Sequence, residues 1–385
     1  MPATQESRTT SRSTASRSAY RVMVVDDSAV IRGLISRWIE TDTAIQVVGS
    51  AADGNMALKN IARARPEIVI LDIEMPGMDG ITLLPKLLEI DPELKIIMAS
   101  TLTRRGAEIS LRALSAGAAD YVPKPESTRD TNDAENFRRT LIEKVKALGA
   151  ARRRKISGDE NLAPAPARRK AVAPVSRPMT PRNVISLRKP STERPRVVGI
   201  ASSTGGPQAL LKVLANFPRD FKLPVTIVQH MPPTFTAILA EHIAKAARIP
   251  CTEAVDGEEL KSGHIYLAPG DFHLQVRSEK GAMRLRLNED EPENFCRPAA
   301  DQLLRSLARQ FGSNTLAAVL TGMGQDGLLG ARDIAAGGGT VLAQDEETSV
   351  VWGMPGAVAV DGICAAVLPL PEIGPKLVAM CGGRS

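Results

Sequence analysis

The sequence predicts an α/β protein built as two parallel-sheet domains joined by a linker, and three observations carry that reading. Strand-length apolar runs alternate with helix-period segments from residue 20 to about 148. The same alternation resumes from 195 to about 383. Alternation of this kind makes consecutive strands parallel and covers the sheet with helices. Between the two, residues 149–196 carry 13 Lys/Arg, 3 Asp/Glu and 7 of the 27 prolines, without sustained apolar periodicity. The rest of the chain then holds 36 basic and 40 acidic residues, so the net charge of +6 belongs to this one stretch. Residues 149–194 therefore read as a linker extended by proline and self-repulsion.

A length of 385 residues suits about two domains. With aromatics at 3%, the cores must come from Leu, Val, Ile and Ala. No apolar run reaches the roughly 18 residues of a membrane span, so the protein is not expected to be membrane-embedded. Residues 1–19 lack the apolar stretch of a secretory signal, are rich in Arg, Ser and Thr, and read as a disordered tail. Cys251, Cys296, Cys364 and Cys381 show no pairing or metal-ligand spacing and read as reduced thiols of a cytoplasmic protein. No DNA-reading module accompanies the basic linker, and no specific nucleic-acid partner is expected.

In the first domain, residues 21–25 read as a strand, and Ile31, Leu34, Ile35, Trp38 and Ile39 mark one helix face. Strands follow at 47–49, 68–71 and 96–99, with a short fifth at Tyr121-Val122. Phe137, Leu141, Val145 and Leu148 give a closing amphipathic helix. Pro85 falls where a helix is expected after the third strand, where a proline removes a hydrogen bond and bends the helix.

Polar residues sit at the carboxyl ends of these strands, where doubly wound sheets place their sites. Asp26 and Asp27 follow the first strand, Asp72 the third, Ser100 the fourth and Lys124 the fifth. A lone Asp pair is an ordinary helix cap. Three converging carboxylates instead call for a divalent cation, and hard oxygens suit Mg²⁺. With Lys124 and Ser100 added, the set would hold a phosphoryl group on a carboxylate. The motifs Val-Val-Asp26-Asp27-Ser28, Leu-Asp72-Ile-Glu-Met-Pro76, Ser100 and Pro123-Lys124-Pro125 resemble those of response-regulator receiver domains. That resemblance implies a five-stranded, doubly wound parallel fold with Asp72 as phospho-acceptor. It also implies Mg²⁺ held with Asp26 and Asp27, Ser100 and Lys124 as switch residues, and a cis peptide bond after Lys124.

The second domain has strand-like runs at 197–200, 225–228, 317–320 and 340–343, separated by helix-like segments at 208–214, 235–247 and 298–309. Residues 264–270, 273–276 and 285–287 look locally antiparallel. The expected fold is an α/β sandwich with a mostly parallel sheet and a hairpin insertion.

Ser203 follows the first of these strands and precedes Thr204-Gly205-Gly206, a turn that leads into a helix. His230 ends the second strand, and Asp326 follows the third within Gly322-Met-Gly-Gln-Asp326-Gly327. Serine needs a base for its proton and donors for the oxyanion. His230 would be the base, Asp326 its orienting carboxylate, and the backbone N–H groups of Thr204 and Met323 the oxyanion donors. Each residue alone has a plainer explanation, as a helix cap, a loop histidine and a turn former. The same glycine turn also matches the dinucleotide pattern G-x-G-x-x-G, but too few residues follow it for such a domain. The order Ser, His, Asp, and the lack of Gly-x-Ser-x-Gly, fit a generic esterase poorly.

The motifs Ser202-Ser203-Thr204-Gly205-Gly206, Gln229-His230-Met231-Pro232, Ile265–Gly270, Thr321–Gly327 and Gly353-Met354-Pro355 resemble the catalytic domain of chemotaxis protein-glutamate methylesterases. Ala201-Ser202 departs from the expected Gly-Ala, but Thr-Gly-Gly in register points to Ser203 over Ser202. The resemblance implies a phosphorylation-activated serine hydrolase that releases methanol from glutamate γ-methyl esters on chemoreceptors and also deamidates receptor glutamines. It implies no cofactor in the hydrolase site, a histidine kinase as phosphodonor, methyl-accepting receptors as substrate, and a monomeric state. The alternative is a response regulator that acts by binding, with a degenerate hydrolase domain or a basic linker that contacts nucleic acid.

Overall fold

Two parallel sheets organise the chain in a computed structural model that describes residues 19–124, 131–157 and 185–382. Residues 1–18 of the expected tail, 158–184 of the expected linker, and Pro125 with its peptide bond lie outside the described residues.

The first unit runs β1 (Tyr20–Val25), α1 (Ala29–Ile39), β2 (Ile45–Ala51), α2 (Gly54–Ala64), β3 (Ile68–Asp72), α3 (Gly80–Ile90), β4 (Lys95–Ser100), α4 (Arg104–Ser115), β5 (Asp120–Pro123) and α5 (Thr131–Ser157). The five strands pair in parallel in the order β2-β1-β3-β4-β5. Successive side chains along a strand face opposite sides. Val22, Val24, Ile68, Ile70 and Ile97 therefore pack with Ile35, Phe137 and Leu141. Met23, Val25, Val69, Leu71 and Met98 pack on the other side with Leu83, Leu87 and Leu114. A sheet buried on both faces explains the unbroken apolar runs.

One helix holds an expected proline, and another runs longer than expected. Helix α3 continues through Pro85, which lies exposed at mid-helix while Leu83, Leu84 and Leu87 are buried. Burial of that stripe holds the helix despite the lost hydrogen bond. Helix α5 extends to Ser157, past residue 148 where the closing helix was expected to end. Its arginines meet carboxylates instead of repelling one another. Arg152 pairs with Asp91 at 2.8 Å, Arg153 with Glu67 at 2.6 Å, and Arg154 with Glu346 of the second unit at 3.3 Å.

The second unit runs β6 (Val197–Ser202), α6 (Gly206–Leu214), β7 (Val225–Gln229), α7 (Phe235–Ala247), β8 (Cys251–Glu253), β9 (Ile265–Leu267), β10 (His273–Glu279), β11 (Ala282–Asn288), α8 (Ala300–Phe311), β12 (Thr315–Val319), α9 (Leu328–Ala336), β13 (Thr340–Gln344), α10 (Met354–Val360), β14 (Ala366–Leu368) and α11 (Leu370–Met380). Seven strands pair in parallel in the order β14-β13-β12-β6-β7-β9-β8. The hairpin is β10–β11 alone, packed on α8 through Leu274, Val276 and Leu285. Residues 265–267, read as locally antiparallel, are a parallel strand of the main sheet. Ile265, Tyr266 and Leu267 are wholly buried, and three such residues suit a two-faced sheet better than a half-exposed ribbon.

Chain order reverses at β6, which lies between β12 and β7. In doubly wound sheets that reversal opens a crevice beyond the strand ends. Residues following β6, β7 and β12 share it. In the first sheet the corresponding point lies between β1 and β3. The two units also touch. Tyr121 of β5 stacks on Phe235 of α7 with ring centroids 4.5 Å apart, and one apolar cluster runs from Leu111 and Leu114 of α4 to Leu210, Phe235 and Leu239.

Candidate active site and receiver carboxylates

Strand β6 ends on two serines with different surroundings. Ser202 is wholly buried, and its Oγ donates to Gln229 Oε1 at 2.7 Å. Ser203 is half-buried, and among the described residues its hydroxyl makes no hydrogen bond. Its backbone N–H donates to Thr321 O at 3.0 Å, and its carbonyl accepts from Gln229 Nε2 at 2.9 Å, so the main chain is fixed while Oγ stays free. Gly205 follows at φ +76, a conformation that suits glycine, and α6 starts at once. On the facing loop, Gly322 approaches so closely that a Cβ there would lie 2.9 Å from Ser203 Cβ.

His230 follows β7 and directs Nε2 at Asp326 Oδ2 over 2.7 Å. Asp326 is buried and also accepts from the backbone N–H groups of Ala300 (2.6 Å), Asp301 (3.1 Å) and Gly327 (2.9 Å), and from Asn294 Nδ2 (3.0 Å). Burial works against its charge, but His230 and these donors hold its carboxyl below the usual range. The His230 ring is raised to about 10. Burial opposes that shift, and Cys296 and Asp326 outweigh it. The remaining ring nitrogen, Nδ1, lies 3.5 Å from Cys296 Sγ. No hydrogen bond joins Ser203 Oγ to His230 among the described residues. Gln229 Nε2 donates to the carbonyls of both Ser203 and His230, so serine and histidine are neighbours, and the histidine–carboxylate contact is formed.

The backbone N–H groups of Thr204 and Met323, the expected oxyanion donors, make no hydrogen bond among the described residues. Thr204 also touches the first unit. Thr204 Oγ1 donates to Asp120 Oδ2 of β5 at 2.7 Å, and Asp120 also pairs with Lys144 of α5. Met323 packs against the cluster that holds Phe137 and Leu141. The other histidines are engaged elsewhere or lie apart. His273 accepts from the Ala299 N–H, His264 lies against Tyr266, and His242 is within α7.

At the first sheet's reversal point, Asp26, Asp27 and Asp72 bring carboxylate oxygens within 4.8 Å of one another. Lys124 Nζ reaches Asp26 Oδ2 at 2.8 Å and Asp72 Oδ1 at 2.7 Å. Burial pushes the Asp72 carboxyl up, Lys124 pulls it down, and Asp26 adds to the rise. Ser100 lies at the end of β4, with its hydroxyl 2.9 Å from that of Ser110. All five receiver residues expected from the sequence therefore occupy one end of one sheet.

Asn294, Cys296 and Asp120 went unremarked as site residues in the sequence. The first two lie in an irregular loop far from His230 along the chain, and no spacing announces them. Asp120 opens a strand, and only the contact with Thr204 gives it meaning.

Known proteins resemble the chain over both units. Residues 198–377 match the family described as CheB methylesterase, and residues 22–134 match the response regulator receiver domain. A protein-glutamate methylesterase/protein-glutamine glutaminase of Rhodospirillum centenum is 52% identical over 375 residues, covering 95% of each chain. One from Azospirillum brasilense is 55% identical over 362 residues, covering 93% of this chain and 91% of that one. The crystal structure of the Thermotoga maritima CheB methylesterase catalytic domain is 43% identical and covers 49% of this chain and all of that one, with a TM-score of 0.48. Relatives more than half identical span nearly the whole chain, and the chain belongs to the protein-glutamate methylesterase/protein-glutamine glutaminase family.

Proposed function

We propose that the chain is a phosphorylation-gated serine hydrolase acting on glutamate γ-methyl esters of chemoreceptors, and on receptor glutamines by the same acyl chemistry. The observation that carries the hydrolytic reading is the 2.7 Å contact between His230 and Asp326 in the crevice that Ser203 enters with a free hydroxyl. Ser203 Oγ attacks the ester carbonyl while His230 Nδ1 takes its proton. The tetrahedral oxyanion lies against the N–H groups of Thr204 and Met323. His230 returns the proton to the leaving methoxide, methanol departs, and an acyl-serine remains. Water then attacks that ester with His230 again as base, releasing glutamate and restoring Ser203. With a glutamine substrate the leaving group is ammonia.

Asp72 is the proposed phospho-acceptor, and a histidine kinase the phosphodonor. The receiver carboxylates fit Mg²⁺, since three hard, mutually repelling donors lie within one ion's reach. Asp26, Asp27 and Asp72 would hold it, and it would offset the negative charge gathered at the phosphoryl group. Gating is supported by the route through β5. Lys124 follows that strand at the carboxylates, and Asp120 opens it against Thr204, beside the nucleophile. A phosphoryl group changes the partners of Lys124 and so biases the docked arrangement. No described helix is long and apolar enough to cross a membrane, and we place the protein in the cytoplasm beside its receptors.

The test is methanol release from methylated receptor. Ser203→Ala should lower it by about 10³-fold or more, toward the residual catalysis of oxyanion donors alone. Substantial release by that variant rejects the nucleophile.

A further inference from the structure

In a serine relay the base must offer the serine the ring nitrogen that its carboxylate does not hold. Asp326 holds Nε2 of His230, so Nδ1 is that nitrogen, and it faces Cys296 Sγ at 3.5 Å. We propose that Cys296 is a positioning residue of the relay: its thiol keeps His230 Nδ1 occupied in the resting protein and restrains hydrolysis by competing with Ser203 for the base. This rests on the reading of Ser203 as nucleophile and His230 as base.

The thiol is held in place. Glu293 and Cys296 exchange backbone hydrogen bonds of 3.1 and 2.9 Å, which closes the loop on itself. Asn294 and Phe295 between them adopt left-handed backbone at φ 53 and 62. Asn294 Nδ2 donates to Asp326 Oδ1 at 3.0 Å and to Asp301 Oδ2 at 3.1 Å, so the loop is tied to the carboxylate that orients His230. The Glu293 side chain pairs with Arg305 of α8. Phe295, 76% exposed, lies 4.6 Å from the Arg139 guanidinium of α5, and the loop therefore also touches the receiver. With the proton on sulfur or on nitrogen, the Cys296–His230 pair occupies the atom that Ser203 needs. The groups that face the His230 ring and raise it against its burial are Cys296, from the loop before α8, and Asp326, from the loop after β12. Removing the sulfur should free Nδ1 and lower the pH at which the ring becomes a base.

The test uses the full chain, as wild type, Cys296→Ala and Cys296→Ser. Intact-mass spectrometry follows the rate at which a fluorophosphonate labels Ser203 across pH, and methanol release from a γ-methyl-glutamyl peptide is measured in parallel. Cys296→Ala should label and turn over faster at neutral pH, with the acid limb about one pH unit lower, a gain of about tenfold on that limb, and KM unchanged. Cys296→Ser keeps a hydroxyl that can still occupy Nδ1, so it should gain less than Cys296→Ala, and it separates occupancy from a packing defect. A Cys296→Ala profile that superimposes on the wild type, slower labelling by a Cys296→Ala protein that melts as the wild type does, or a Cys296→Ser protein as fast as Cys296→Ala overturns the proposal. If Ser203 stays unlabelled in all three proteins, the nucleophile assignment fails first and this inference falls with it.

Discussion

His230 has two neighbours that favour its charged form, and a charged imidazole cannot accept the serine's proton. Cys296 and Asp326 together outweigh burial. The ring's ordinary value is about 6.5 and its surroundings raise it, so at a given pH less of the base is neutral than in a free imidazole. The unphosphorylated full chain should therefore show kcat/KM rising through a limb above about pH 7. A pH–rate profile already level at about pH 7 would contradict that arrangement of charges. Ser203, His230, Asp326 and Asp72 could be picked out in the sequence because each follows a strand-like run beside glycine or acid, and sheet topology places such positions together. Cys296 could not. Its contact with His230 depends on a loop that folds through Asn294 onto Asp326 and Asp301, and local sequence carries no trace of that closure.

The helices and strands that were easiest to read are those with one apolar stripe or one fully buried run. α1 and β3 are of this kind, and both appear where periodicity put them. Strand β9 was harder, since three apolar residues beside a genuine hairpin fit either arrangement until Val225 and Thr226 supply a parallel neighbour. The end of α5 was read as linker because its arginines look like a solvated charge run. Asp91, Glu67 and Glu346, distant in sequence, convert them into a docked helical end. Pro85 is the clearest local conflict. It costs α3 one backbone hydrogen bond while the buried leucines hold the helix together. Pro85→Ala should raise the receiver's unfolding free energy by about 1–3 kcal/mol in chemical denaturation and leave methanol release unchanged. An unaltered or lower unfolding midpoint would mean that proline fits its place without strain.

A four-residue strand leads from the receiver carboxylates to the residue that follows Ser203. β5 opens at Asp120, which receives the Thr204 hydroxyl, and leads to Lys124 at the carboxylates. Next to Asp120, Tyr121 stacks on Phe235, and Met323 packs against the apolar cluster that includes Phe137. Thr204, one candidate oxyanion donor, is thus held by a receiver carboxylate, next to Ser203 in the chain. The two-domain layout was legible in composition alone, but this contact was not, since it joins residues that no motif connects. The most direct measurement is methanol release from methylated receptor by the full chain, with and without a small-molecule phosphodonor and Mg²⁺, compared with Asp72→Asn. The account predicts that phosphodonor accelerates the wild type several-fold and leaves Asp72→Asn at its basal rate, while the isolated second unit is fast in either condition. Full acceleration of Asp72→Asn, or no acceleration of the wild type, would contradict it.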